Sequence, residues 1–332
     1  MALTPRGPEV VDRAVAILRA GGLIALPTET VYGLAGDASN EIAVRRIFAV
    51  KGRPASHPVI VHVAGAAALE AWAREVPDGA RRLAEAFWPG PLTLVLPRSA
   101  RALDVVTGGQ DTVALRAPEH PLALAVLRAF DGGLAAPSAN RFGRVSPTTA
   151  QHVRADLGAE VDLVLDGGPC AIGVESTIVD LASDPAAPAI LRSGALTAVD
   201  LERVLGVAVR VATDAAGDEG IRVPGRLAAH YAPRAGVELV APDEAGPRAA
   251  ALFAAGRRVL LIAPADVPAP GLAAVQRLDA PIEPADFARV LYALLREADV
   301  RGADIVLVVP PPESGLGVAV RDRLRRAAAA RG

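Results

Sequence analysis

The run Leu23-Ile24-Ala25-Leu26-Pro27-Thr28-Glu29-Thr30-Val31-Tyr32-Gly33-Leu34 fixes how the chain reads. Lys51-Gly52-Arg53-Pro54 and then His57-Pro58-Val59-Ile60-Val61-His62-Val63 follow it. Leu23–Leu26 is a short apolar run of strand type. It leads straight into Thr28–Tyr32, which puts those polar side chains at a strand end. Asn40 is an N-cap candidate, with Ile42, Val44, Ile47 and Phe48 at helical spacing behind it. This helix delivers Lys51 at its C-terminal end, and Pro58–Val63 reads as a buried strand.

Lysine and arginine together number 35, and Lys51 is the only lysine. A compact ammonium and a planar guanidinium are not interchangeable, so the exception carries information. Other types that are rare here gather nearby. Tyr32, His57 and His62 flank Lys51, Asn140 follows Ser138, and His230 adjoins Tyr231.

With 332 residues the chain exceeds the roughly 250–300 at which single cores stop growing, so two domains are expected. Hydrophobic residues make up 52%, enough for a large core. A formal charge of −2 gives no whole-chain argument for binding nucleic acid or an anionic membrane, so any basic site must be local. The single cysteine, Cys170, excludes an internal disulfide and a multi-cysteine metal site. The N-terminus lacks the basic start and apolar stretch of a signal peptide. Val259–Ala263 and Ile305–Val309 are far shorter than the roughly 20 residues that span a bilayer. The expectation is a soluble cytoplasmic protein.

Along the chain, helical spacing covers Glu9–Ala20, Ala66–Arg74, Asp78–Phe87, Pro121–Phe130 and Val199–Leu205. Ser146-Pro147 predicts a further helix start. Strands are expected at Leu92–Leu96, Thr112–Arg116, Leu134–Ala136, Leu163–Leu165 and Ser176–Leu181. This alternation predicts an α/β domain over residues 1–206. Residues 207–234 read as a linker, which His230 and Tyr231 mark as a docking one. From 235 to 332 a simpler alternation predicts a small parallel doubly wound domain. Its expected strands are Val237–Val240, Val259–Ile262 and Ile305–Val309, and its expected helices Gly246–Ala255, Pro284–Ala298 and Val318–Ala330.

Four groups of polar residues fall at strand ends or loops, where α/β folds bind ligands. They are Thr28–Tyr32 with Lys51, Arg53, His57 and His62; Thr112–Pro118; Ala136–Asn140 with Gly143 and Ser146; and Gly173–Asp180 with Arg192. Lys51, Arg53, Arg116 and Arg192, if convergent, make an anion pocket. Thr30, Ser138, Ser146, Ser176 and Asn140 would read a polar ligand. No G-x-S-x-G elbow and no Walker loop occurs. From the residues alone the reading stops at an anionic, phosphate-bearing ligand in an α/β domain.

Pro27–Leu34, Lys51-Gly52-Arg53-Pro54, Trp88-Pro89-Gly90-Pro91-Leu92-Thr93, Pro137-Ser138-Ala139-Asn140 and Glu175-Ser176-Thr177-Ile178 resemble the threonylcarbamoyl-AMP synthase family. Pro224-Gly225 with His230-Tyr231-Ala232-Pro233 is similar to the linker of its two-domain long form. The resemblance implies a twisted mixed-sheet α/β catalytic domain, a lid-like linker and a small Rossmann-like parallel α/β domain. It implies a nucleotidyltransferase that joins ATP, bicarbonate and L-threonine into L-threonylcarbamoyladenylate, with pyrophosphate released. That product serves N6-threonylcarbamoyladenosine at position 37 of tRNAs reading ANN codons. Lys51 and Arg53 would be catalytic. Arg53, His57, Thr112, Ser138, Asn140, Ser146, Arg192 and Tyr231 would bind ATP. Thr30, His62, Arg116, the backbone at Ala136, and Ser176 would bind L-threonine. Mg2+ would come with ATP and no protein metal cluster is implied. The partners would be downstream threonylcarbamoyl-transfer proteins acting on tRNA, with direct RNA binding weak or absent and no membrane association. Three positions depart from the family pattern: His57 stands for Asn, Ala35-Gly36 is inverted, and Arg226 stands for Met.

Two competing readings are an RNA-binding module and a carbamoyltransfer domain that makes no adenylate. The near-neutral charge disfavours the first, and the lack of cysteine-rich modules the second. Outside the motifs, His120 and His152 are expected on the surface, Tyr292 in the core and Cys170 as an inert thiol. Arg321, Arg323, Arg325 and Arg326 are expected to form a solvated face.

Overall fold

The computed structural model describes residues 7–212, 220–268, 271 and 275–330. The chain divides into two compact units. The larger runs to Phe142 and continues through Pro147–Ala171 and Glu175–Arg226. The smaller takes Gly143–Ser146, Ile172–Val174 and the chain from Leu227 onward. Parts of the expected linker and N-terminus, residues 213–219 and 1–6, lie outside the described residues.

The larger unit contains, in chain order, α1 (Pro8–Arg19), β1 (Ile24–Leu26), β2 (Gly33–Asp37), α2 (Glu41–Lys51), β3 (Ile60–His62), α3 (Leu69–Trp72) and α4 (Asp78–Phe87). Then come β4 (Leu92–Pro97), α5 (Asp104–Thr107), β5 (Thr112–Arg116), α6 (Pro121–Phe130), β6 (Leu134–Ala135) and α7 (Ala150–Leu157). β7 (Leu163–Val164), β8 (Thr177–Asp180), β9 (Ala189–Arg192), α8 (Ala198–Leu205) and β10 (Arg210–Val211) complete it. Ten strands form one mixed sheet in the order β10-β9-β8-β4-β5-β3-β6-β2-β1-β7.

Strand alternation divides the core. Leu23 and Ala25 join the cluster built with Val44, Ile47 and Phe48 of α2, Leu83 of α4 and Leu201 of α8. Ile24 and Leu26 join the opposite cluster, with Ala14 and Leu18 of α1 and Val126 and Leu127 of α6. A strand covered on both faces reads as an unbroken apolar run, which is why Leu23–Leu26 shows no polar alternation. Across β3, β4, β5 and β8 the helix-facing residues are Val61, Leu94, Leu115 and Val179. Their neighbours Ile60, Val95, Ala114 and Ile178 form a separate small patch with Val223. His62 and Arg116 share the parity of Ile60 and Ala114, so they project on that second face.

α2 begins where Asn40 accepts from the backbone N–H groups of Ile42 and Ala43. It ends at Lys51, with Gly52 as a left-handed cap at φ 63°. The helix expected from Ser146-Pro147 starts later. Thr149 caps α7 by accepting from the His152 N–H, and Ser146 is fully buried instead.

The smaller unit holds β11 (Gly236–Leu239), α9 (Ala245–Ala254), β12 (Val259–Ala263), β13 (Val275–Asp279), α10 (Pro284–Val300), β14 (Ile305–Val308) and α11 (Leu316–Ala329). Its four strands are all parallel, in the order β11-β14-β12-β13. Every residue of β12 is buried. Arg323 and Arg326 correct the expectation of a solvated α11: they are only 0% and 7% exposed. Both are bonded to Asp322, at 2.6 and 3.0 Å. Among the described residues no helix is long and apolar enough to cross a membrane.

Candidate active site

Members of all four sequence groups are tied together by specific contacts in the larger unit, whereas Gly143, Ser146, Gly173 and Val174 fall in the smaller one. The first link is Lys51. Its Nζ donates to the carbonyls of Ser138 and Asn140 at 2.5 and 2.6 Å. The Phe142 N–H returns to the Lys51 carbonyl, and Arg141 donates to the Val50 carbonyl. The end of α2 therefore clamps the Ser138–Phe142 loop. Burial pulls the Lys51 pKa well down, with Arg53 adding to the effect. The carbonyl pair explains why a lysine is kept, since a slender stem ending in a point donor fits where a guanidinium fork does not.

The loop is strapped from the other side by backbone bonds, Leu34 N–H to the Pro137 carbonyl and Ala139 N–H to the Tyr32 carbonyl. The Tyr32 hydroxyl donates to the Gly168 carbonyl and accepts from the Gly167 N–H, and burial raises its pKa. Arg53 donates to the Pro58 carbonyl at 2.7 Å and lies 5.9 Å from the centre of the Phe142 ring. The His57 ring meets Phe142 edge-on at 5.5 Å. Partial burial lowers the His57 pKa, helped by Arg53 and Arg222.

Arg116 forms the second link. It donates to the Thr30 hydroxyl at 2.9 Å, to Glu29 at 2.6 Å and to the Gly90 carbonyl at 3.2 Å. Both members of the Arg116–Glu29 pair are buried. Thr28 bonds Thr30 at 2.9 Å and fixes the turn by donating to the Val31 carbonyl. His62 pairs in register with Arg116 across β3 and β5. Burial drives its pKa down to about 3, and Arg116 adds to this. The imidazole is therefore neutral near pH 7, and its Nδ1 has no hydrogen-bond partner among the described residues.

Ser176 forms the third link. Its hydroxyl lies 2.7 Å from that of Thr93 and accepts from Arg192 at 3.0 Å. Arg192 also donates to the Ser176 and Pro224 carbonyls. Gly194 is required here, because a Cβ would stand 2.3 Å from the Thr177 nitrogen. The Trp88–Pro91 turn joins the second and third links, since the Gly90 carbonyl takes Arg116 and the Pro91 carbonyl takes the Thr177 N–H.

The linker segment that follows residue 219 contributes as well. Arg222 donates to the carbonyls of Ser56 and Gly108, at 2.9 and 2.8 Å. Val223 packs into the patch with Ile60 and Ala114.

Thr112 lies on β5 on the same face as Arg116, and the Ala136 N–H is bonded to the Ile60 carbonyl. Ser146 and Tyr231 lie on the smaller unit. Glu29, Thr93 and Phe142 were missed as site residues, although Glu29 and Thr93 stand inside quoted motifs. Their partners are remote in sequence, and no local pattern announces them. His120 proves to be the N-cap of α6, accepting from the Leu122 N–H. Burial pushes the Cys170 thiol up to about 12, so it stays protonated and unreactive. Among the described residues no group of three His, Cys, Asp or Glu side chains is placed to hold a metal ion.

The profile of the family described as "Telomere recombination" matches residues 16–194. That of "Threonylcarbamoyl-AMP synthase, C-terminal domain" matches residues 196–329. Threonylcarbamoyl-AMP synthase of Pyrococcus abyssi is 42% identical over 95% of this chain and 92% of its own length. The chain belongs to the threonylcarbamoyl-AMP synthase family. The Bacillus subtilis synthase is 38% identical over 99% of this chain and 95% of its own. The crystal structure of P. abyssi Sua5 complexed with L-threonine superposes with a TM-score of 0.90 at 40% identity, covering 98% and 96% of the two chains. The family's members are enzymes of the nucleotidyltransferase kind, and both domains of the long form are present here.

Proposed function

We propose that the chain condenses L-threonine, bicarbonate and ATP into L-threonylcarbamoyladenylate and pyrophosphate. The product then serves N6-threonylcarbamoylation of adenosine 37 in tRNAs reading ANN codons, through downstream transfer proteins in the cytoplasm. The observation that carries this reading is the buried polar end of the mixed sheet, where Arg116 on β5 and His62 on β3 pair in register, Thr30 of the β1–β2 connection bonds Arg116, and Ser176, just before β8, bonds Thr93 of β4. An amino acid offers it a carboxylate, a hydroxyl and an amine. Arg116 is the partner for the carboxylate, because Glu29 and Thr30 hold its guanidinium in place. A neutral His62 suits the amine or hydroxyl without repelling an ammonium.

The amine and bicarbonate give a carbamate with loss of water. A carbamate oxygen then attacks the α-phosphorus, and the P–O bond to pyrophosphate breaks. Negative charge gathers throughout, so catalysis is mostly positioning and charge stabilisation. Arg53, His57, Thr112, Ser138, Asn140, Ser146, Arg192 and Tyr231 are assigned to the nucleotide, with Mg2+ brought in on its phosphates. Lys51 acts by holding the Ser138–Asn140 loop. Residues 1–206 form the catalytic domain, 207–234 the linker that docks on the site and excludes water, and 235–332 the C-terminal domain.

The test is pyrophosphate release by the purified chain. Release should require both threonine and bicarbonate, and release independent of threonine overturns the reading. Lys51→Ala should lower the rate on the order of 10²-fold by letting the Ser138–Asn140 loop shift, with the far-UV spectrum unchanged. Near-normal turnover removes Lys51 from the machinery.

A further inference from the structure

In the smaller unit, Tyr231, assigned above to the nucleotide, sits in a buried cluster whose other members have no assigned part in the reaction. Tyr231 is 1% exposed and adopts φ 61°, a left-handed conformation that a bulky residue takes only when its surroundings impose it. Three side chains surround its ring. Tyr292 of α10 stacks at 5.9 Å with 24° between the planes. His230 meets it edge-on at 4.1 Å. The Arg323 guanidinium of α11 lies 5.3 Å from the ring centre.

The backbone around this ring is tied to the same unit. The His230 N–H donates to the Arg326 carbonyl, Arg326 donates to the Leu227 carbonyl, and the Ala232 N–H donates to the Gly143 carbonyl. Arg296 of α10 donates to the Val145 carbonyl, next to Ser146. Arg323 is fully buried, and Asp322 holds its charge in place. Burying a guanidinium is costly, and a surface helix has no need of one at this position. A cation fixed beneath an aromatic ring holds that ring in place.

We propose that Arg323 is a positioning residue for the nucleotide reaction, holding Tyr231 against α10 and α11 so that the C-terminal unit presents His230-Tyr231 and Gly143–Ser146 in fixed conformations. The C-terminal unit is then a platform for nucleotide-binding segments rather than a binder of a separate ligand. This rests on the reading that Tyr231 contacts the nucleotide, and the experiment separates the two.

Full-length chains carrying Tyr231→Ala, Arg323→Met, Arg323→Lys and the double change Tyr231→Ala/Arg323→Met are compared by KM for ATP, KM for threonine, kcat and Tm. Tyr231→Ala should raise KM for ATP about tenfold. Arg323→Met should raise it roughly fivefold, as expected of a lost cation–ring contact. KM for threonine should stay within about twofold. Arg323→Lys should recover part of the loss, and Arg323→Met should add nothing further once Tyr231 is Ala. If Tyr231→Ala raises KM for ATP but Arg323→Met lowers only Tm, the nucleotide reading stands and the positioning role falls. If Arg323→Met keeps its full effect in the Tyr231→Ala chain, the role also falls. If Tyr231→Ala leaves KM for ATP unchanged, the nucleotide reading falls and takes the positioning role with it. Should Arg323→Met fail to fold, Arg323→Lys decides, since a shift in KM for ATP that vanishes in the Tyr231→Ala background supports the proposal and one that persists overturns it.

Discussion

The two sheets bury their strands differently. In the smaller unit, β12 is wholly buried and wholly apolar, Val259–Ala263. In the larger, β3 and β5 are also buried but end in His62 and Arg116. Apolar burial needs only packing. Burying a guanidinium beside an imidazole needs partners, and the chain supplies Glu29, Thr30 and the Gly90 carbonyl. The first sheet is a scaffold, whereas the second carries polar groups that stability alone would not select.

Glu29→Ala gives the largest expected effect, because it leaves the Arg116 charge buried without its carboxylate. It should cost about 3–5 kcal/mol in denaturant unfolding and raise KM for threonine. A small loss with unchanged KM would erase the distinction between the sheets. Leu261→Ala, in the middle of β12, should cost about 2–5 kcal/mol by creating a cavity. Its kinetic constants should stay at wild-type values in the fraction that remains folded. A KM change there would show that the scaffold sheet takes part in binding.

The third effect is graded with pH. His62 has a folded pKa of about 3 against an ordinary 6.5. Between those values the unfolded chain binds a proton that the folded chain refuses, so stability is full above pH 6.5 and declines as the pH falls toward 3. The decline is up to about 1.4 kcal/mol per pH unit. His57, whose pKa is also lowered, acts in the same direction. His62→Gln should flatten this acid dependence, as measured by urea midpoints from pH 7 to pH 4. An unchanged slope would mean that His62 is not held neutral.

Much of the fold was legible because helices and buried strands carry local signals. Asn40 capped its helix, Lys51 stood at its C-terminal end, and Thr112–Arg116 and Pro121–Phe130 formed where their spacing predicted. Gly33–Asp37 was missed as a strand because its small residues carry no β signal, although pairing with β1 and β6 makes it one. Val275–Asp279 was missed because it is a charged edge strand.

The sequence by itself determined the alternation of elements, the membership of the family and the set of polar residues at strand ends. These follow from periodicity and from residue types kept against the drift of composition, and neither needs a partner to be known. Only the tertiary structure decided what those residues touch. It turned Lys51 onto two backbone carbonyls, set Glu29 against Arg116, and buried Arg323 and Arg326 on a helix that reads as solvated. Burial and pairing depend on chain segments remote in sequence. The spacing along α11 therefore gave no sign that Tyr231 would lie against one of its arginines.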